Sequence, residues 1–478
     1  MTAPTVIEVA DPPRRHDGTI DLDLVVARLG PESVTVLEAA RGLPYAGRWS
    51  WIVPHTGVRV TATEERATLL SPGDTYPLPG DPLAGVDHLL RSLGLSLTAG
   101  ARADLPPFTG GVVGAWSYDL ARVIERLPVE AEDDRCHPVL DLVVADTVVG
   151  IDHDHEQVLV VHRPGMLERL GALATVPEEL VARLAHGTRT PLSPEHPGPG
   201  PPLTTTFSPG DYQKAVGVAL DHIAAGDTFQ VNLSQRLTAP WTGTTWELYR
   251  RLRAQSPAAH GASHPTRWGG LASVSPETFL EVSGRDVLTR PIKGTRPRDA
   301  DPAVDHRLSA ALVASPKDRA ENVMVVDMER NDLGRVCEIG SVHVAGLLEL
   351  ERHPTVWHLV STVTGQLRED VTPGELLRAT FPCGSVTGTP KVRAMEVIEA
   401  LEPVRRSFYC GAIGYLSAGA ASLSVAIRTA EIDLARGLVD HGAGGGIVAD
   451  SDPAAEHAES LDKARAFARA LGTEATAP

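Results

Sequence analysis

Lys293 stands in the run Pro291-Ile292-Lys293-Gly294-Thr295-Arg296-Pro297-Arg298, between a β-like approach, Asp286–Arg290, and a glycine turn. An amine so placed either pairs with an anion or, with its pKa pushed down, acts as a nucleophile. Arg290, Arg296 and Arg298 are cationic neighbours that would depress that pKa and draw in an anionic substrate. A solvated basic turn is the plainer reading of the same run. Two acidic pairs, Asp318/Glu321 and Glu456/Glu459, sit at i, i+3 in segments that look helical, so each pair shares one helical face. Ser315-Pro316 and Asp452-Pro453 supply the cap-and-proline starts. Opposed across a cleft, two such faces offer the hard oxygen ligands that Mg²⁺ prefers. Taken singly, each is a solvated helix surface.

Further groups could bind an anion. Thr389 as N-cap and Pro390 as first helical residue begin an amphipathic segment ending at Leu401, with Gly384, Gly388 and Lys391 gathered at its start. Free N–H groups there favour a carboxylate or phosphate, although the order of glycine and lysine is not that of a P-loop. Gly442, Gly444, Gly445 and Gly446 follow a strand, and consecutive glycines let backbone N–H groups approach an anion. Strand alternation in Ser422–Ile432 puts Arg428 on the face of Ser424 and Ala426, as a carboxylate clamp or a solvated arginine. His358, in "TVWHLVSTVTG", reads as a core histidine or a catalyst.

The elements that must hold these groups are of mixed type. Val34–Leu37 reads as a strand, and Leu140–Ile151 with Gln157–His162 as a hairpin. Tyr212–Ala225 and Pro390–Leu401 have helical spacing, whereas Tyr409–Leu416 and Ser422–Ile432 are strands joined by a tight turn. Short connections require antiparallel pairing, which predicts an α+β fold and not a doubly wound sheet. Residues 1–185 form an N-terminal region, 186–209 a Pro/Gly-rich exposed linker, and 210–472 a catalytic region. Over 478 residues, 42% hydrophobic and 22% charged content are those of a soluble globular protein. The net charge of −17 argues against nucleic acid or an anionic membrane as partner. Cys136, Cys337, Cys383 and Cys410 have neither C-x-x-C nor metal spacing and read as reduced, in a cytoplasmic protein. Met1–Asp17 lacks the apolar core of a signal peptide, and no apolar run is long enough to span a bilayer.

Eight segments carry a closer resemblance: "GDTFQVNLSQR", "SPETFL", "PIKGTRPR", "DRAENVMVVDMERNDLGRVC", "GSVTGTPKVRAMEVIEALEP", "GAIGYLS", "AIRTAEI" and "GGGIVADSDPAAEHAESLDKARA". Together, and in this order over residues 210–470, they closely resemble the chorismate-utilising enzymes. That family includes anthranilate synthase component I, aminodeoxychorismate synthase component I, isochorismate synthase and salicylate synthase. The resemblance implies antiparallel β-sheets packed as a sandwich with helices outside, and a Mg²⁺-dependent enzyme acting on chorismate, a dicarboxylate. It implies Glu321, Glu456 and Glu459 as metal ligands, with Asp318 standing where many members carry glutamate. It further implies Lys293, Glu277 and His358 as catalytic residues. Substrate would be held by Gly294, Thr295, Thr387, Tyr415, Arg428, Gly444, Gly445, Gly446 and Lys463.

Within the family, Gln230 occupies the position of the lysine that activates water in salicylate and isochorismate synthases. "PIKGT" is the aminodeoxychorismate synthase signature, where anthranilate synthases usually carry "PIAGT". The segments matching the tryptophan-holding "LLES" and "PYM" are Val36–Ala39 and Pro257–Ala259, and both depart from the pattern. The expected chemistry is attack of neutral Lys293 on C2 while Glu277 protonates the departing C4 hydroxyl, then displacement by ammonia at C4. Nothing in the chain resembles a glutaminase, so ammonia would come from a separate glutamine amidotransferase subunit. The alternatives are anthranilate synthase component I, a 2-amino-2-deoxyisochorismate synthase, and a non-catalytic chorismate-binding subunit.

Overall fold

The computed structural model describes residues 3–100, 102, 104–186 and 200–475. Their strands form two antiparallel sheets of twelve strands each. The fold is α+β. One sheet runs, in hydrogen-bonding order, through Thr5–Glu8, Gln157–His162, Thr147–Asp152, Trp49–Pro54 and Val34–Glu38. It continues through His260–Pro265, Gly269–Ser275, Thr429–Asp433, Leu438–Ile447, Gln230–Pro240 and Thr204–Thr205. The other includes Ile292–Pro297, Val356–Gln366, Asp286–Arg290, Thr278–Ser283, Ala420–Val425, Ala412–Ser417, Gly111–Trp116 and Leu140–Ala145. Each sheet draws strands from both halves of the sequence: Val34–Glu38 pairs with His260–Pro265 in one, Gly111–Trp116 with Ala412–Ser417 in the other.

The sheets pack through Trp51 and Val148 on one side and Phe108, Val113, Val143 and Tyr415 on the other. Phe108 and Tyr415 stack with ring centroids 4.3 Å apart. Helices cover the outside. Pro453–Ala470 lies on the strand Leu438–Ile447 and against the helices Pro209–Ala224 and Thr245–Gln255, while Pro316–Gly334 lies on Val356–Gln366. Ser315 and Asp452 accept backbone N–H groups three residues on, and proline follows each, so both helices start where their caps predict. Among the described residues no helix is long and apolar enough to cross a membrane.

Several local expectations are corrected. Leu140–Ile151 is two strands in different sheets, broken at buried Asp146, whose carboxylate accepts the Thr175 N–H and hydroxyl; only Thr147–Asp152 forms the hairpin with Gln157–His162. Ser422–Ile432 is likewise split. Ala420–Val425 belongs to one sheet and Thr429–Asp433 to the other, and Arg428 between them has φ 49°, so simple alternation does not place its side chain. Thr389 is not a helix cap. Gly388–Thr389 pairs with Gln230–Val231, which keeps Thr389 extended and moves the helix start to Lys391. The glycines at 442–446 lie within the strand Leu438–Ile447, not after it. Of the expected linker, 187–199 lies outside the described residues. Its later part is not an exposed tether: Thr204–Thr205 pairs with the strand Gln230–Pro240, and Leu203 and Phe207 are buried.

One buried ion pair ties together pieces that reach the site. Arg406 bonds Glu402 through Nε and Nη2 at 2.9 and 2.7 Å, and donates to the carbonyls of Val386 at 2.9 Å and Asn232 at 2.5 Å. Glu402 also accepts the Ser234 N–H and hydroxyl, each at 2.8 Å. Removing the carboxylate strands a buried guanidinium. Glu402→Ala is expected to destabilise by about 3–5 kcal/mol, read as a lower urea midpoint.

Candidate active site

Lys293 reaches the interior through a strand irregularity. The register of Ile292–Pro297 on Val356–Gln366 shifts between Ile292 and Thr295, and Gly294 has φ 88°. The bulge leaves Thr295 exposed and Lys293 buried. A β-carbon at 294 would stand 2.9 Å from Leu312 Cδ1 and 3.0 Å from Asp318 Cβ, so only glycine suits the position. Glu277 precedes the strand Thr278–Ser283, and the rung Thr278↔Arg290 sets Glu277 and Lys293 at the same end of one hairpin. The Ile292 N–H points at Glu277 Oε1, 3.4 Å away.

Burial sets the charge states. It pushes the Glu277 carboxyl up to about 7, against the opposing influence of Ser385, Lys293, the Ile292 N–H and Arg428. Burial also holds the Lys293 amine below its ordinary value, opposed by Glu321 and Glu277 and assisted by Lys463. The three neighbouring arginines are not the cause. Arg290 pairs with Glu351, Arg296 with Asp318 at 2.7 Å, and Arg298 with Asp305 at 2.8 Å. Asp318 is thereby engaged as an arginine partner.

His358 lies across from Thr295, whose hydroxyl meets its Nδ1 at 2.9 Å; its Nε2 is buried without a hydrogen-bond partner. Burial, with Arg428 and His353 nearby, holds the ring well below the ordinary histidine pKa, hence neutral. Asn322, on the helix Pro316–Gly334, fixes this region by bonding Leu359 O and Ser361 Oγ. Arg428 donates to Ser256 Oγ at 3.5 Å and makes no ion pair among the described residues. Glu277 is one of its electrostatic neighbours. Its guanidinium is thus placed to receive an anion.

The glycine strand forms another wall. A β-carbon at Gly446 would collide with Gln230 Nε2 and stand 3.3 Å from Lys293 Nζ. One at Gly445 would lie 3.3 Å from Glu456 Oε2, 3.5 Å from Lys463 Nζ and 3.6 Å from Glu459 Oε1. The missing side chains let the amine and the acids close on the strand. Gly444 contributes its carbonyl, which accepts from Lys463 Nζ at 2.7 Å. The two acidic helices do face each other at their first turns: Lys317 lies 3.2 Å from Glu456 and 4.0 Å from Glu321, and Lys463 lies 2.9 Å from Glu459. Among the described residues no three acidic, histidine or cysteine side chains are gathered into a closed metal-binding group. The carboxylates that converge here are hard oxygen donors balanced by lysine ammonium groups, a donor set whose chemistry fits Mg²⁺.

One expected substrate contact falls elsewhere. Tyr415 stacks on Phe108 and lines a cavity of about 830 Å³ between the sheets, a cavity whose lining includes none of Lys293, Glu277, His358 and Arg428. Alternation along Ala412–Ser417 turns it into that inter-sheet space. The same cavity is lined by Leu37, Glu38, Ala39 and Ala259, from the two segments that depart from the tryptophan-holding pattern. Thr387 directs its hydroxyl at Cys383 O and Gly384 O, each 3.3 Å away, within its own loop. Lys391 is no anion site either, since its ammonium holds Asp332 and the carbonyls of Thr380 and Pro382. Gln230, which stands in the sequence at the position of the water-activating lysine and is not among the expected contacts, has its amide nitrogen and oxygen both buried without partners beside Lys293. Its signal is a polar side chain at the head of a strand buried through its first six positions.

The chorismate binding enzyme family matches residues 61–469. The chain belongs to that family. It is 41% identical over 414 residues to anthranilate synthase component 1 of Streptomyces coelicolor, covering 83% of this chain and 78% of that protein. It is 39% identical over 421 residues to aminodeoxychorismate synthase component 1 of Klebsiella aerogenes, covering 86% and 89%. Among solved structures, anthranilate synthase component I from Streptococcus pneumoniae superposes with a TM-score of 0.76 at 30% identity, over 88% of this chain and 92% of that one. The menaquinone-specific isochorismate synthase of Escherichia coli shares the fold, with a TM-score of 0.71 at 18% identity over 98% and 95%. This chorismate-utilising enzyme therefore presents a buried amine, a buried carboxyl, a neutral histidine and an arginine to one region.

Glu277 gives a test of the electrostatics that needs no substrate. Because burial raises its pKa in the folded state, the native protein holds the proton more tightly than the unfolded chain does. That contribution is complete below the ordinary carboxyl value of 4.5 and is lost as pH rises through about 7. Glu277→Gln, which cannot ionise, should gain stability over the natural protein across this window, by on the order of 3 kcal/mol. Urea midpoints of the two proteins compared at acid, neutral and alkaline pH check the sign.

Proposed function

We propose that the enzyme aminates chorismate at C4, as an aminodeoxychorismate synthase component I does, through a covalent adduct on Lys293. The observation that carries this reading is the buried Lys293 amine, held below its ordinary pKa beside a carboxyl raised to about 7. Attack of a nucleophile at C2 with loss of the C4 hydroxyl across the diene places nitrogen at C2. Nitrogen at C4 requires two such displacements, and therefore a first nucleophile supplied by the protein.

In the first step neutral Lys293 Nζ bonds to C2, the C4–O bond breaks, and the Glu277 proton leaves with the oxygen as water. Lys293 is then a secondary ammonium and Glu277 a carboxylate. Ammonia next bonds to C4, the C2–N bond breaks, and Lys293 departs as the neutral amine. Glu277 takes one proton from the new C4 ammonium, which restores the acid and releases 4-amino-4-deoxychorismate. Arg428 and the backbone of Gly444–Gly446 would hold the substrate carboxylates, and His358 Nε2, lacking a protein partner, is available to orient the C4 hydroxyl. Glu321, Glu456 and Glu459 would hold Mg²⁺, which when bound neutralises the ring carboxylate.

Relatives named as component 1 support a separate amidotransferase subunit as the source of ammonia. The product would feed p-aminobenzoate and folate biosynthesis, or a related cytoplasmic pathway. The anthranilate synthase relatives make anthranilate the competing product. Incubation with chorismate, Mg²⁺ and ammonium distinguishes them: p-aminobenzoate appearing only after addition of the downstream lyase supports C4 amination. Anthranilate fluorescence overturns it, and failure to consume chorismate would favour a binding subunit. Glu277→Gln should lower kcat by about 10²–10⁴-fold. Lys293→Ala should abolish the 4-amino product, and its persistence would rule out the covalent route.

A further inference from the structure

Lys317 stands where helix stability alone would not place a lysine. It is the second residue of the helix Pro316–Gly334, whose first turn carries the positive end of the helix dipole, and a cation there is disfavoured. Its partner on the same helix, Glu321, lies four residues on, which is the less favourable order for a lysine and a glutamate. Lys463 follows the ordinary rule. It comes four residues after Glu459, which it meets at 2.9 Å, and the Gly444 carbonyl accepts from its ammonium at 2.7 Å.

Lys317 is aimed instead across the gap between the two acidic helices. Its Nζ lies 3.2 Å from Glu456 Oε1 and 4.0 Å from Glu321 Oε1, and Glu459 is a further electrostatic neighbour. These are the three carboxylates assigned above to Mg²⁺. Among the described residues the only hydrogen bond of Lys317 is the one to Glu456. Its side chain is 42% exposed, so the ammonium can withdraw into water on its own flexible stem. Glu456 is buried and held independently: the Ser451 hydroxyl donates to the same Oε1 at 2.6 Å and accepts the Val448 N–H at 3.1 Å. The carboxylate therefore keeps its place when the lysine leaves.

We propose that Lys317 is an exchangeable counter-ion of the cation site, neutralising Glu456 and Glu321 in the metal-free enzyme and withdrawing into solvent when a divalent cation is bound. The proposal rests on the assignment of Glu321, Glu456 and Glu459 to Mg²⁺. Carboxylates gathered out of water without a cation repel one another, and one ammonium between two of them offsets that cost. An ammonium and a divalent cation are like charges seeking the same oxygens, so binding one weakens the hold on the other. The exchange makes and breaks no covalent bond. Lys317 thereby lowers the affinity of the free enzyme for its metal while keeping the two helices together without it.

Binding of Mn²⁺ to the protein without chorismate, followed by electron paramagnetic resonance, reads this exchange apart from turnover. Lys317→Met removes the charge and keeps most of the stem, and it should bind Mn²⁺ about tenfold more tightly than the natural protein. Lys317→Arg keeps the charge and should bind as the natural protein does. Thermal unfolding supplies a second readout. Without metal Lys317→Met should melt below the natural protein, and its Tm should rise further when Mg²⁺ is added. A lysine that merely packed or positioned the ligands would, when lost, lower both the metal-free Tm and the metal affinity. Glu459→Gln should weaken Mn²⁺ binding, alone and combined with Lys317→Met. If Lys317→Met binds Mn²⁺ no more tightly than the natural protein while Glu459→Gln binds it more weakly, the proposal fails and the metal assignment stands. If Glu459→Gln binds as well as the natural protein, the metal assignment fails and takes the proposal with it. If Lys317→Arg tightens binding as much as Lys317→Met does, charge is not the cause and the proposal is overturned.

Discussion

The site depends on two places where the chain passes from one sheet into the other. Gly269–Ser275 crosses into Thr278–Ser283 at Pro276-Glu277, and Ala420–Val425 crosses into Thr429–Asp433 at Ala426–Arg428. The crossings are bound to each other: the Val425 N–H bonds Glu277 O, the Val274 N–H bonds Arg428 O, and Ser275 Oγ bonds Val425 O. A strand leaving a sheet cannot keep every backbone group in a ladder, so these groups pair across the crossings instead. Glu277 and Arg428 are therefore presented by backbone that is ordered and buried but free of regular side-chain alternation.

Around that junction, burial does most of the electrostatic tuning. Lys293, Glu277, His358 and Glu329 are each shifted toward the neutral form by loss of water. The cations that a short reading of the sequence places around Lys293 are each neutralised by a carboxylate. This separation matters for chemistry, because a neutral amine is a nucleophile and a neutral carboxyl is an acid. A cluster of unpaired arginines would instead have filled the pocket with counter-ions. Arg428 makes no ion pair among the described residues, while the carboxylates of the two facing helices are paired with Lys317 and Lys463.

The large cavity between the sheets is separate from this chemistry. It lies in the inter-sheet packing layer, walled by Trp51, Tyr415 and residues of both sheets. Tyr415 belongs to it because a strand residue points to one face or the other, and at 415 that face is the inter-sheet one. Its motif is therefore compatible with a structural role, and its distance from Lys293 in the fold could not be read from their order in the chain.

The sequence by itself determined the family, the antiparallel α+β class, the caps of the two acidic helices, and Lys293, Glu277 and His358 as the residues to watch. These are legible because they depend on local rules: cap chemistry, helical spacing, short connections and motifs in order. Only the tertiary structure decided which polar groups share an environment. It showed that Arg428 stands at a crossing and not on a strand face, that Thr389 is held extended by Gln230, and that Lys391 locks a loop. Burial and hydrogen-bond partnership are properties of packing between distant segments, and for that reason no local pattern encodes them.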